Sequence, residues 1–401
     1  MGKTFDLSLF IPALFLSLIG IGLIFAANYY SSSPAEQNLY LKQIIWLALG
    51  LSACFVIYFF PLKFHEAFSF VYYFTIIAAL IVLWATSSGG TARWFHLGGI
   101  NIQPSELAKF AAILAVSRYL AFQKFKSGDL LWVFIIIFII AIPAGLVLIQ
   151  PDLGSSLVFF AVFISMLFWS GLQLRKIILI VSPIISLISA FHWIAWAIFF
   201  FLLLLLVLIS RLHLLQGAFF MLINLAVGMA TPIMWNKLHD YQKMRINIFL
   251  DPGLDARGAG YQIIQSKIAV GAGGLFGQGF LQGTQTKLNF LPEQHTDFIF
   301  SVLAEQFGFV GCLIVLFVFG WLFYKGFAIA MKTRNQFYSY AACGLTAVIV
   351  FQVLINIGMT VGLMPVTGLP LPFLSYGGSS MLFFWAAIGF LLAVNRDWQE
   401  Y

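Results

Sequence analysis

The sequence predicts an all-α polytopic membrane protein with about twelve transmembrane helices. Three observations predict it: the composition, the spacing of the apolar stretches, and the one-sided placement of basic loops. Of 401 residues, 62% are hydrophobic and only 9% are charged, so most of the chain would expose large apolar patches in water. Apolar stretches of about 18 to 25 residues, the length a helix needs to cross some 30 Å of hydrocarbon, recur from end to end. They fall near 8–27, 43–61, 66–86, 104–122, 129–149, 155–171, 176–192, 194–210, 215–235, 298–323, 337–361 and 375–395. The first, "LSLFIPALFLSLIGIGLIFAA", is too long and too weakly basic at its front for a cleavable signal and reads as a retained span.

Basic residues in short loops mark the cytoplasmic side. Under this count "SRYLAFQKFK", "LQLRK", "SRLH" and "YKGFAIAMKTR" share one side, with both termini. The count is most delicate between residues 174 and 240; an even number of spans there would turn the long segment 236–297 inward and the last basic loop outward. The loops carrying "TARWFHLGG", "QPDLG", 236–297 and "PVTGLPLP" then open on the extracytoplasmic face. The net charge of +7 is dispersed, without the basic run and interleaved aromatics of a nucleic-acid surface, so anionic lipid is its expected counterpart. Cys54, Cys312 and Cys343 sit singly in apolar segments and read as packing residues.

Ionisable side chains at span depth cost several kcal/mol unless paired or wetted, so each is a functional candidate. In "QPSELAKFAAILAVS", Glu106 and Lys109 are three residues apart on one helix face, either a structural ion pair or the wall of a polar cavity. Gln150 and Asp152 in "IQPDLGSSL" fit a turn between spans. Thr296 or Asp297 in "HTDFIF" would serve as a helix cap, and on local grounds that is the first reading of Asp297.

The preceding segment of about sixty residues is too long for an ordinary loop. Its stretch "YQIIQSKIAVGA", with Gln265, Ser266 and Lys267, suits a short helix at the membrane surface. The run "GAGGLFGQG" lacks the nucleotide-loop signatures. It reads either as a flexible hairpin or as backbone that approaches a phosphate, with Lys267, Arg257 and Lys287 adding charge. "GLPLPFLSYGGSS", with Ser375, Gly377 and Gly378, sets two prolines before a helix, a broken helix start of the kind that lines cavities.

"QPSELAKF", "QPDLGSSL", "GAGYQIIQSKIAVGAGGLFGQGFLQGTQTKLNFLPEQHTDFIFSVLAEQFGFVG" and "PVTGLPLPFLSYGGSS" together resemble the SEDS family of bacterial shape, elongation, division and sporulation proteins. "GTQTKLNFLPEQHTDFIF" is more similar to the rod-shape branch, RodA, than to the division branch, FtsW. Members usually have ten spans, so residues 174 to 240 hold three where the resemblance implies one. The resemblance implies an inner-membrane enzyme that polymerises lipid II into glycan strands, working with a class B penicillin-binding protein and the elongation machinery. It also implies that the motif aspartate, here Asp297, is essential, and that Glu106 and Lys109 are the cavity pair.

As chemistry, Asp297 would take the proton from an acceptor sugar hydroxyl, a service worth about 10²- to 10⁴-fold. Arg93, Lys109 and Lys267 are candidates to stabilise the leaving pyrophosphate. Glu293 or Glu305 would hold a divalent cation, Mg²⁺ or Mn²⁺, if one takes part. His295 either tunes Asp297 or is a plain loop residue, and Thr296, Glu305, Ser375, Gly377 and Gly378 complete the expected substrate surroundings. Rival readings are a lipid II flippase, a non-catalytic scaffold, and a division or sporulation relative.

Overall fold

A run of apolar residues long enough to cross hydrocarbon has one inexpensive backbone solution, the α-helix, because every N–H and C=O is then paired within the segment. The computed structural model follows that rule. It describes residues 5–31, 33–86, 93–97, 100–123, 131–210, 212–237, 243–244, 248–249, 251–255, 258, 260–288 and 290–397. Arg257, considered above as a phosphate-side charge, lies outside the described residues.

Among the described residues, twelve helices of at least sixteen residues coincide with the twelve expected spans. They are α1 Leu7–Asn28, α2 Leu39–Phe59, α3 Ser69–Thr86, α4 Pro104–Phe122, α5 Leu131–Ile149, α6 Leu153–Trp169, α7 Leu174–Ser189, α8 Trp193–Ile209, α9 Leu214–Lys237, α10 Ile299–Lys332, α11 Gln336–Thr360 and α12 Gly378–Asp397. One small departure from all-α is an antiparallel hairpin, β1 Phe95–Leu97 with β2 Ile100–Ile102. Its strands alternate apolar and polar residues, and His96 pairs across to Asn101, Nδ1 to Oδ1 at 2.7 Å.

Helix direction alternates, which gathers the motifs at one end. At the opposite end Asn395 donates to Asp6 Oδ2 at 2.9 Å, Trp321 donates to the Ser8 carbonyl at 2.9 Å, and Arg396 donates to the Tyr58 carbonyl at 2.5 Å. Helices α4, α11 and α12 form the buried centre, and their apolar faces are almost wholly covered by their neighbours. Helices α7 to α9 pack at the side. There Asn224 Nδ2 donates to Ser182 Oγ at 2.8 Å, Ser186 Oγ to the Asn224 carbonyl at 2.8 Å, and Trp196 Nε1 to Ser186 Oγ at 3.1 Å. Polar side chains of this kind hold helices together where hydrocarbon supplies no hydrophobic drive. Helix α8 buries only Leu203, as befits a peripheral position.

The tenth span differs most from expectation. The stretch read as one helix from 298 is two, broken at Gly308, whose φ of 64° and ψ of −164° no helix contains. The glycine run is neither a flexible hairpin nor a phosphate cradle: it fills the break. Phe309 N donates to the Gly274 carbonyl at 2.9 Å and Val310 N to the Leu275 carbonyl at 3.0 Å. In return Gln278 N and Gly279 N donate to the carbonyls of Glu305 and Gln306 at 2.9 and 3.1 Å. Residues 309–332 alone span about 36 Å, enough to cross the bilayer. The short helix 299–307 therefore belongs to the site end, not to the span. A side chain on Gly277 (φ 82°) would collide with the Gln306 carbonyl, whereas Gly22 in α1 faces open space. Gly277→Ala should lower unfolding stability by about 1–3 kcal/mol, read as a drop in the thermal midpoint in detergent, while Gly22→Ala should leave it unchanged or raised.

Candidate active site

Four of the motifs converge where the chain re-enters the bundle after α11. Residues 361–377 form a re-entrant segment with Leu369, Leu371, Phe373 and Leu374 buried. Its deepest part rests backbone to backbone on Gly20 of α1, where any side chain would strike Phe373 and Leu374. Gly20 is eight residues from the end of α1, about 12 Å along its axis.

Side-chain amides and hydroxyls clamp this segment to the "QHTDF" turn. Asn356 Nδ2, on α11, donates to the carbonyls of both Asp297 and Leu369, at 2.9 and 2.8 Å. Ser375 Oγ donates to the Thr296 carbonyl at 2.6 Å and accepts from Leu371 N at 2.8 Å. Tyr376 N donates to the His295 carbonyl at 2.9 Å, and the two rings meet edge to face at 5.8 Å. Gln43 of α2, fully buried, donates to the Ser375 carbonyl and accepts from Gly377 N, at 3.1 and 3.2 Å. Gln294 Nε2 fixes the other end of the turn, donating to the Ala27 carbonyl at 2.5 Å.

These contacts overturn the capping reading of Asp297. The helix starts at Ile299, and no side chain caps it. The Asp297 backbone is held by Asn356, its carboxylate lies half-buried beside the loop, and Oδ2 is 3.6 Å from where a Cβ on Gly368 would stand. Burial pushes its pKa up to about 6, with the Glu293 charge adding to the rise, a hydrogen bond from Thr296 opposing it, and Asp152 contributing a further increase. His295 moves the other way: burial lowers its pKa, partly offset by Glu293 and Glu36, so the imidazole is neutral near pH 7.

The other expected residues divide into two groups. The "QPDLG" turn comes to the site edge: Asp152 caps α6 through Ser155 N at 3.0 Å and accepts from Gln103 Nε2 at 3.1 Å. Arg93 holds that turn, donating to the Gln150 carbonyl at 3.0 Å and to the Pro151 carbonyl. Lys267 is exposed on the loop helix Tyr261–Ala272, its side chain lying across Gly362; Gln265 is half-buried beside it. Ser266 is an interior anchor, hydrogen-bonded to Ser301 Oγ and the Thr360 carbonyl, each at 2.7 Å. Gly378 is packed against Trp46.

Glu305 requires a correction. It is fully buried, and its carboxylate accepts from Gln285 N at 2.7 Å, Thr286 N at 3.2 Å and Thr286 Oγ1 at 2.6 Å, so its acceptors are spent on the 284–286 turn and cannot face substrate. Glu293 is exposed and accepts from Thr296 Oγ1 at 3.1 Å. Among the described residues no three His, Cys, Asp or Glu side chains gather as a metal site.

Glu106 and Lys109 form a buried pair at 2.7 Å, with the Lys109 ammonium 5.0 Å from the Phe383 ring centre. Yet Glu106 Oε2, Ser105 Oγ and both amide atoms of Gln352 are buried without a hydrogen-bond partner. Gly344 packs on Ile113 where α11 and α4 run antiparallel. Eight residues toward the site from that contact lie Gln352 and Ser105, at one level. Each such orphaned group costs about 1–3 kcal/mol, which favours a polar cavity over a closed structural pair. Sequence reasoning passed over Gln43, Gln352 and Asn356. Their signal was present: lone carboxamides inside otherwise apolar spans.

Comparison with known proteins now adds the family. The cell cycle protein family FTSW_RODA_SPOVE matches residues 6–197 and 195–400. The chain belongs to the SEDS family. It is 35% identical over 386 residues to peptidoglycan glycosyltransferase MrdB of Escherichia coli (strain K12), covering 96% of this chain and 93% of that protein. It is 33% identical over 423 residues to peptidoglycan glycosyltransferase RodA of Treponema pallidum (strain Nichols), covering 98% and 97%. Among solved structures, a chain of a peptidoglycan synthase complex described as coordinating polymerization and crosslinking superposes with a TM-score of 0.76 at 28% identity, covering 99% of both chains. RodA of Thermus thermophilus shares the fold, with a TM-score of 0.64 at 24% identity over 99% and 98%.

The raised carboxyl has a thermodynamic sign. A folded pKa above the unfolded value means that the neutral form is favoured by folding, so this contribution is fully present below about 3.8 and is lost as pH rises through about 6. Asp297→Asn should therefore be more thermally stable than wild type at pH 8, with the difference shrinking toward pH 4; thermal melts across that range would show it.

Proposed function

We infer that this chain is a peptidoglycan glycosyltransferase that polymerises lipid II into β-1,4-linked glycan strands. The observation that carries the mechanism is Asp297: a carboxylate released from capping, half-buried, and held by its backbone at the junction of the four motif segments. A base with a pKa of about 6 is about nine-tenths ionised at pH 7 yet still a useful proton acceptor.

Asp297 takes the proton from the acceptor's GlcNAc 4-hydroxyl as that oxygen attacks C1 of the donor's MurNAc. The C1–O bond to undecaprenyl pyrophosphate breaks, and the electron pair leaves with the diphosphate. One displacement inverts the α-linked donor to a β-linked product. Negative charge gathers on the leaving diphosphate, where preorganised cations and N–H groups contribute most. Lys267 is exposed and suited to that role; Lys109, sealed against Glu106, acts on the cavity instead. Arg93 acts through the "QPDLG" turn that it holds. No step is routed through a metal.

The proposed location is the bacterial inner membrane, with both termini cytoplasmic and the site outside. Support comes from Lys63, Arg118, Arg175, Lys176, Lys332, Arg334 and Arg396, which all lie at the end opposite Asp297. A class B penicillin-binding protein of the elongation machinery is the proposed partner, supported by the crosslinking role in the description of the similar complex.

The test is lipid II polymerisation on gels by the purified chain with its penicillin-binding partner, with moenomycin present to silence classical polymerases. Asp297→Asn should lose about 10²- to 10⁴-fold in rate while remaining folded. Equal polymer from both would remove the base assignment; no polymer from wild type would favour the flippase reading. The wild-type rate should also fall as pH drops below about 6, where the carboxyl is protonated. Any residual activity of Asp297→Asn should lack that limb.

A further inference from the structure

The side of the bundle formed by α5, α7 and α9 contains an apolar cavity of about 360 Å³. Val133, Ile137, Ile180, Pro183, Phe219 and Ile223 line it, with Gln216 at its rim. Phe134 and Phe219 meet edge to face at 6.0 Å across it. Both rings are also exposed, as is Leu215 beside them, so the cavity opens sideways toward the surroundings of the bundle. All three helices begin at the end opposite Asp297, and the α9 lining runs from Leu215 to Ile223. That depth is about 12 Å, approaching the half of some 30 Å of hydrocarbon that makes one leaflet.

The end of the slot nearest the helix starts is flanked by basic residues. Arg175 and Lys176 occupy the first turn of α7, and His213 directly precedes α9. Arg175 is exposed and, among the described residues, makes a long hydrogen bond of 3.4 Å to the Ile209 carbonyl. Two cations in the first turn oppose the helix dipole, a cost that an anion at the same place would offset. An apolar slot one leaflet deep with cations at the headgroup level matches one kind of occupant.

We propose that this slot is a binding site for an anionic phospholipid of the leaflet opposite the Asp297 site, one acyl chain in the cavity and the phosphate at Arg175 and Lys176. The inference is independent of the glycosyl-transfer reading, because slot and site lie at opposite ends of the helices. Helix α9 lies in the stretch that carries more spans than the family resemblance implies, so the slot depends on the added helices.

The experiment is native mass spectrometry of the full chain released from nanodiscs of equal phosphatidylglycerol and phosphatidylcholine. Wild type should retain phosphatidylglycerol in preference to phosphatidylcholine. The double variant Arg175→Gln, Lys176→Gln should lose that preference by at least about fivefold, the attraction of one basic residue for anionic lipid. Ile223→Trp, which fills the slot, should reduce retention of both lipids without changing the headgroup preference of what remains. Thermal melts identify any misfolded variant, and the wild-type lipid ratio stands by itself. Equal retention of the two lipids by wild type, no retained lipid, or an unchanged ratio in the double variant would overturn the proposal.

Discussion

A helix that breaks inside an apolar surrounding leaves N–H and C=O groups that must find partners, and the rest of this site depends on how the break at Gly308 is answered. The 273–279 loop supplies the partners in both directions, two bonds given and two received. That exchange only works with backbone at contact distance, which Gly277 permits and no larger residue would. The consequence reaches well beyond the break. With the loop locked there, the short helix 299–307 keeps a fixed angle, and the "QHTDF" turn at its head is presented to the re-entrant segment after α11.

The polar economy of the site follows from that presentation. Backbone groups of the turn and of residues 369–377 are satisfied by Asn356 and Gln43, side chains that belong to the spans, and by Ser375 of the re-entrant segment itself. Because the backbone is held by others, the Asp297 carboxylate is left for chemistry, and its half-burial is what raises its pKa. A stronger local cap or an adjacent cation would stabilise the fold and remove the base. Helical proteins commonly trade stability for reactivity in this way. The neighbouring Glu106–Lys109 pair answers a different problem: its charges neutralise each other in the buried centre, while the orphaned oxygen of Glu106 and the amide of Gln352 keep that region polar.

The lateral group α7 to α9 shows how peripheral helices are held to a membrane bundle. Lipid tails are as apolar as leucine, so such spans gain little from burial and are secured instead by the Ser182, Ser186, Asn224 and Trp196 hydrogen bonds.

By itself the sequence determined the twelve helices, their alternating direction and the end at which the motifs meet. These follow from segment length, backbone pairing and the counting of basic loops, all of which are properties of each segment alone. It also marked Asp297, Glu106 and Lys109, because ionisable groups near hydrocarbon are costly wherever they occur. Local chemistry misled where a residue's partner is distant in the chain. Asp297 looked like a cap because nothing in "HTDFIF" reveals Asn356, fifty-nine positions on. Glu305 looked available because the donors of residues 284–286 lie across a loop. The glycine run looked mobile because the break it fills is thirty residues away. Tertiary structure decided these points, since hydrogen-bond satisfaction in a bundle is settled between segments, and only packing chooses which carboxylate is spent and which is left to react.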